Sequence, residues 1–108
     1  MLRHTARLLI LTAALGGVGT AVGSLAPSTV VARIVTGQGP CSEVGGLGSV
    51  WVGNVGEATV ARIDPATNRL TGKVQVGAQP CDVAIGADSV WVDGYGTGNV
   101  ERIATRSR

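Results

Sequence analysis

One stretch of this sequence occurs twice in closely related form. Gly39–Asn54 reads GPCSEVGGLGSVWVGN, and Gln79–Gly94 reads QPCDVAIGADSVWVDG. The two copies stand 40 residues apart, and the offset holds without a gap from residue 37 of the first copy to residue 103 of the second. A fixed period of this length is typical of proteins that repeat one supersecondary unit. We therefore interpret the chain as two successive copies of such a unit.

Each copy divides into short runs of β-forming residues separated by turn formers. The predicted strands are Cys41–Val44, Ser49–Val52, Thr59–Ile63 and Leu70–Val76 in the first copy, and Cys81–Ile85, Ser89–Val92 and Asn99–Ile103 in the second. Ahead of the first copy, Thr29–Val35 is predicted to be a further strand of the fourth-strand type. Runs such as Val50-Trp51-Val52 lack a polar face, which indicates sheets that are covered on both sides.

Four strands in about 40 residues, repeated head to tail, predict an all-β fold made of β-propeller blades. Residues 48–54, GSVWVGN, and residues 59–86, TVARIDPATNRLTGKVQVGAQPCDVAIG, resemble the YVTN-type β-propeller repeat. They are also similar to the repeats of the streptogramin-lyase-like (virginiamycin B lyase-like) secreted propellers. The resemblance covers roughly residues 30–103 and implies four-stranded antiparallel blades, of which this chain holds about two.

The expected organisation has four parts. These are a signal peptide at 1–26, a leading outer strand at 27–36, a first blade at 37–76 and an incomplete second blade at 77–108. Neither end has the look of a polar cap, although stacked repeats generally need altered terminal units. We therefore expect further blades or self-association to cover the two broad apolar faces.

The N-terminal segment has the pattern of a secretory signal peptide. Arg3 and Arg7 precede an uncharged stretch that opens with Leu8-Leu9-Ile10-Leu11 and runs to residue 32. The pattern predicts a hydrophobic signal helix, cleavage near Ala26 and a secreted or extracytoplasmic protein, with an uncleaved membrane anchor as the alternative. Without Arg3 and Arg7 the remainder carries seven basic and seven acidic residues, which gives no electrostatic footprint for nucleic acid.

Cys41 and Cys81 are the only cysteines, and they occupy equivalent positions in the two copies. Export would permit a disulfide between them. Equivalent strands of neighbouring blades diverge, however, and free cysteines are often buried, so two separate buried thiols are the preferred expectation. Two cysteines without histidine supply too few ligands for a metal site.

Trp51 and Trp91 recur at one position of the repeat, which favours a packing role over a sugar-stacking role. The predicted structural core of the repeat comprises Trp51, Trp91, Val50, Val90, Ile63 and Ile103. Arg62 and Arg102 also recur, and they are expected to pair with turn acids such as Asp64 or Glu57.

No catalytic or cofactor-binding residue is assigned. The one histidine, His4, lies in the targeting segment, so the remainder has no imidazole for acid–base chemistry. The resemblance to the lyase-like propellers would imply catalytic groups, including histidine, contributed from several blades, and no position here matches. The sequence predicts a non-catalytic binding or scaffold module without a cofactor. The alternative is a truncated piece of a secreted propeller lyase or hydrolase, without activity of its own.

Overall fold

The structure, a computed structural model, describes residues 26–105, and every regular element in that range is a β-strand. The strands are β1 (Pro40–Gly46), β2 (Ser49–Asn54), β3 (Thr59–Asp64), β4 (Arg69–Gln75), β5 (Pro80–Gly86), β6 (Ser89–Gly94) and β7 (Asn99–Ala104). They form two antiparallel sheets, sheet 1 in the order β1-β2-β3-β4 and sheet 2 in the order β5-β6-β7. Both sheets lie in a compact unit that begins at Ala32.

The predicted signal helix and most of its segment lie outside the described residues. Within residues 26–105, no helix is long and apolar enough to cross a membrane.

All seven strands predicted within the two copies are present, which confirms the all-β class and the antiparallel sheets. Their ends follow from local turn chemistry. Between β3 and β4, Asp64 accepts a hydrogen bond from the backbone N–H of Ala66 through Oδ1 (2.9 Å). Asn68 closes the same turn with a φ of 60°, a left-handed conformation that asparagine tolerates better than most residues.

Residues 27–36, which the sequence predicts as a leading outer strand, form no strand in the structure. Ile34 instead packs beside Val52, Ala61 and Ile63 on one face of sheet 1. Thr36 anchors the segment there, since its carbonyl oxygen accepts a hydrogen bond from Asn54 Nδ2 (3.0 Å). The segment therefore packs through side chains on a face of sheet 1 and does not pair as a strand at a sheet edge.

Each sheet has two faces, because side chains alternate along a strand. The tryptophan face of a sheet carries Ser49, Trp51, Val60 and Arg62 in sheet 1, and Ser89, Trp91, Val100 and Arg102 in sheet 2. The valine face carries Val50, Val52, Ala61 and Ile63 in sheet 1, and Val90, Val92, Glu101 and Ile103 in sheet 2.

The two sheets stack head to tail, with unlike faces in contact. Trp51 and Val60 of the tryptophan face of sheet 1 form one buried cluster with Val90 and Val92 of the valine face of sheet 2. All four side chains are between 0 and 2% exposed. The valine face of sheet 1 and the tryptophan face of sheet 2 therefore point outward.

The structure places the six predicted core residues in different surroundings. Trp51, Val90 and Ile63 are buried, and Val50 and Ile103 are half-buried beside the two clusters. Trp91 is half-buried on the outward tryptophan face of sheet 2. Identical positions in the repeat thus differ in burial because only one tryptophan face has a neighbour.

Candidate interaction site

Trp51 sits at the centre of a three-residue stack on sheet 1. Its indole Nε1 donates a hydrogen bond to the carbonyl oxygen of Gly46 (3.1 Å). The guanidinium carbon of Arg62 lies 4.8 Å from the ring centroid, which is cation–π distance. Arg62 Nε also donates to Ser49 Oγ (2.8 Å). The stack forms because Trp51 and Arg62 are direct partners across β2 and β3.

The second copy builds the same stack. Arg102 lies 5.2 Å from the ring of Trp91 and donates to Ser89 Oγ (2.8 Å). Trp91 Nε1 donates to the carbonyl oxygen of Gly86 (2.9 Å). The expectation that the repeated arginines pair with turn acids is therefore wrong, because the nearer cross-strand indole and hydroxyl groups hold them instead.

Cys41 and Cys81 form a disulfide, with Cα atoms 5.1 Å apart. The preference for two separate thiols is thus not what the structure shows. The starts of β1 and β5 lie side by side rather than diverging, and Ser42 Oγ donates to the carbonyl oxygen of Cys81 (3.0 Å) at the same place. The bridge covalently joins sheet 1 to sheet 2 where their strands begin.

Glu57 organises a polar network at the end of sheet 1 that the sequence did not reveal. Its carboxylate accepts hydrogen bonds from Lys73 Nζ (2.8 Å), Thr59 Oγ1 (2.7 Å) and the backbone N–H of Gln38 (3.0 Å). These bonds, that of Lys73 foremost, lower the pKa of Glu57 from 4.5 to about 2. A comparison of the two copies could have indicated this network, because the position of Glu57 in the first copy is occupied by Thr97 in the second.

Glu57→Gln is expected to weaken the fold in a pH-dependent way. A carboxyl whose pKa is lowered on folding stabilises the native state above its unfolded pKa, and the contribution disappears as pH falls toward the folded value. The difference between native chain and variant should therefore be full at pH 7, shrink as the pH falls below about 4.5, and be lost as the pH falls through about 2. Urea unfolding midpoints across this range measure it. The matched control, Glu43→Gln, changes an exposed carboxylate outside the network, and an equal loss in both variants would contradict the assignment.

A groove of about 200 Å³ lies between β4 and the end of β7. Its lining comprises Trp51 and Arg62 of sheet 1, residues 71–74 of β4, and residues 103–105 at the end of β7. Val74 is 36% exposed in this place. The groove is open because no strand of the described residues lies beyond β7 to pack against β4.

The outer edge of β7 is unpaired within residues 26–105. β7 pairs with β6 alone, whereas its counterpart β3 pairs with both β2 and β4. Val100, on β7, is 62% exposed. The edge and the neighbouring groove together form the candidate interaction site, which presents free backbone groups beside apolar side chains.

The charged groups at the groove are paired with other side chains of the fold. Among residues 26–105, no group of three or more His, Cys, Asp or Glu side chains is placed to hold a metal ion. The cationic side chains at the groove are engaged, Arg62 with Trp51 and Lys73 with Glu57. No protein-family model matches this chain, and no curated protein matches it either.

Proposed function

We propose that this chain is a non-catalytic binding or scaffold module that completes its fold by self-association. The observation that carries the proposal is the unpaired edge of β7 beside the groove. An exposed strand edge offers a row of free N–H and C=O groups, and these pair readily with a strand from another molecule. The apolar side chains along the edge add the burial that such pairing needs.

The two sheets are proposed to be propeller-type blades. Support comes from the repeat of 40 residues, from the stacking of unlike faces, and from the resemblance to YVTN-type and streptogramin-lyase-like repeats. Sheet 1 has four strands and sheet 2 has three, so only the first has a full blade complement among the described residues.

The module is further proposed to work outside the cytoplasm. The N-terminal pattern of basic residues and an apolar run supports export. The Cys41–Cys81 disulfide is consistent with this, because such bonds persist in oxidising compartments. The alternative is a truncated lyase or hydrolase, although residues 26–105 contain no histidine for acid–base chemistry.

Light scattering coupled to size-exclusion chromatography tests the proposal. We expect the mass of the purified chain to rise from one copy toward two as its concentration increases. Tryptophan emission recorded on the same fractions controls for folding, since Trp51 is buried and shifts on exposure. A folded chain that stays monomeric up to millimolar concentration would rule self-association out.

A further inference from the structure

The outward tryptophan face of sheet 2 is poorly suited to pack against another sheet. On the inward tryptophan face, a Cβ at Gly53 would lie 2.7 Å from the carbonyl oxygen of Cys81, so β5 approaches closely only because glycine is there. The equivalent position in sheet 2 is Asp93, which accepts a hydrogen bond from the backbone N–H of Asp82 (3.1 Å). A third sheet in the same geometry would collide with Asp93 and bury its charge, which is costly.

The outward valine face of sheet 1 is less apolar than the inward valine face of sheet 2. Val83 and Ile85 of sheet 2 pack into the core between the sheets. Their equivalents on sheet 1 are Glu43 and Gly45, on the face that carries Val52. Each outward face therefore carries a carboxylate, Asp93 or Glu43, that a further sheet stacked in the same geometry would bury at a cost. Among the unpaired strand edges within residues 26–105, which include that of β4, the edge of β7 lies where sheet 2 lacks the fourth strand that sheet 1 has.

Residues 29–35, the leading segment, are complementary to the outer edge of β7. The register in which β4 pairs with β3 in sheet 1 indicates which of their residues would lie opposite one another. β3 and β4 pair Val60 with Val74, Ala61 with Lys73, Arg62 with Gly72 and Ile63 with Leu70. We replace each β3 residue by its counterpart 40 positions later, on β7, and each β4 residue by its counterpart 40 positions earlier. The pairs then become Val100 with Ile34, Glu101 with Arg33, Arg102 with Ala32 and Ile103 with Val30. Two pairs are apolar, one sets opposite charges against each other, and one puts a small residue beside an arginine. Opposite-charge and apolar pairs are favourable across antiparallel strands.

We propose that residues 29–35 of a second copy add to the edge of β7 as the fourth strand of sheet 2, in a reciprocal dimer. This inference rests on the proposed function and names its partner. Ile34 and Thr36 of the same chain lie on the outward valine face of sheet 1, so sheet 1 stands between them and sheet 2. The segment of a second copy can approach this edge from outside when its Ile34 leaves its contacts with Val52, Ala61 and Ile63. Its Val30, 65% exposed, then lies opposite Ile103.

Charge opposes the simpler pairing of two β7 edges with each other. Antiparallel strands set residues of the same face opposite one another. The two central registers therefore place Glu101 against Glu101 of the second copy, or Arg102 against Arg102. Like charges directly opposite are destabilising, so the edge selects the leading segment over itself.

Charge-swap complementation tests the proposal on the purified chain. Arg33→Glu alone and Glu101→Arg alone each create two like-charge contacts per dimer, and each should raise the dissociation constant about tenfold or more. Mixing the two variants restores both opposite-charge contacts, so a heterodimer should form with near-native affinity. Arg69→Glu, the same charge reversal on an exposed arginine of β4, is the matched control and should dimerise normally.

Amide hydrogen exchange supplies a second measurement that needs no variant. Amides on the outer edge of β7 should be protected in the native dimer and exchange at least tenfold faster after dilution to monomer. If the native chain never dimerises, the proposed function fails. The chain could instead dimerise while the charge reversals have no effect, the mixed variants stay dissociated, or the β7 amides gain no protection. Any one of these results would overturn only the proposed addition of residues 29–35 to β7.

Discussion

Removing the disulfide is expected to lower the free energy of unfolding by about 4 kcal/mol, from the loop-closure entropy of a cross-link over 40 residues. For a folded unit of this size the total is about 4 to 12 kcal/mol, so the loss is a third of it or more. The variant that tests this is Cys41→Ala together with Cys81→Ala, unfolded in urea beside the native chain. The bridge joins β1 to β5 and thereby links two sheets that otherwise meet in the cluster around Trp51 and Val90 and through contacts such as the Ser42–Cys81 hydrogen bond.

Reductant provides the matched control for that variant. It should destabilise the native chain by nearly the same amount and leave the double-alanine variant unchanged. A native chain whose urea midpoint hardly moves on complete reduction would show that the packing between the sheets suffices without the bridge.

Trp51→Ala is expected to cost about 3 to 5 kcal/mol, the range for truncating a large aromatic side chain in a core. Trp51 is 1% exposed and packs with Val60, Val90 and Val92 between the sheets. Its loss also leaves the carbonyl oxygen of Gly46 and the guanidinium of Arg62 without the indole.

The repeat supplies the control for this prediction. Trp91→Ala removes the same side chain with the same hydrogen bond and the same stacked arginine, but from an outward face. We expect it to cost about 1 to 2 kcal/mol, because less apolar area leaves water there. Equal costs for the two variants in chemical denaturation would mean that the sheets do not stack as described.

Local patterns predicted the strands well, for a physical reason. Strands such as Ser49–Asn54 are bounded by glycine, asparagine and aspartate, whose turn preferences act over a few residues. Thr29–Val35 has equally strong β-forming residues, yet it is not a strand. A strand needs an edge to pair with, and propensity alone carries no information about which edges are within reach.

The candidate site was less predictable, because it depends on contacts between distant residues. The repeat marked Trp51 and Arg62 as important, but not that they stack on each other. The Cys41–Cys81 bridge was left as an alternative, since the spacing of two cysteines does not say whether their Cα atoms come within bonding range. The network around Glu57 joins residues up to 19 positions apart.

The sequence by itself determined the period, the seven strands and the two sets of alternating side chains in each copy. Only the tertiary structure decided which set faces the neighbouring sheet and which faces outward. The alternation of side chains along a strand defines two faces but does not indicate which of them is buried. The choice is made when the valine face of one sheet meets the tryptophan face of the other, and that contact also determines that Asp93 and Glu43 lie outside it.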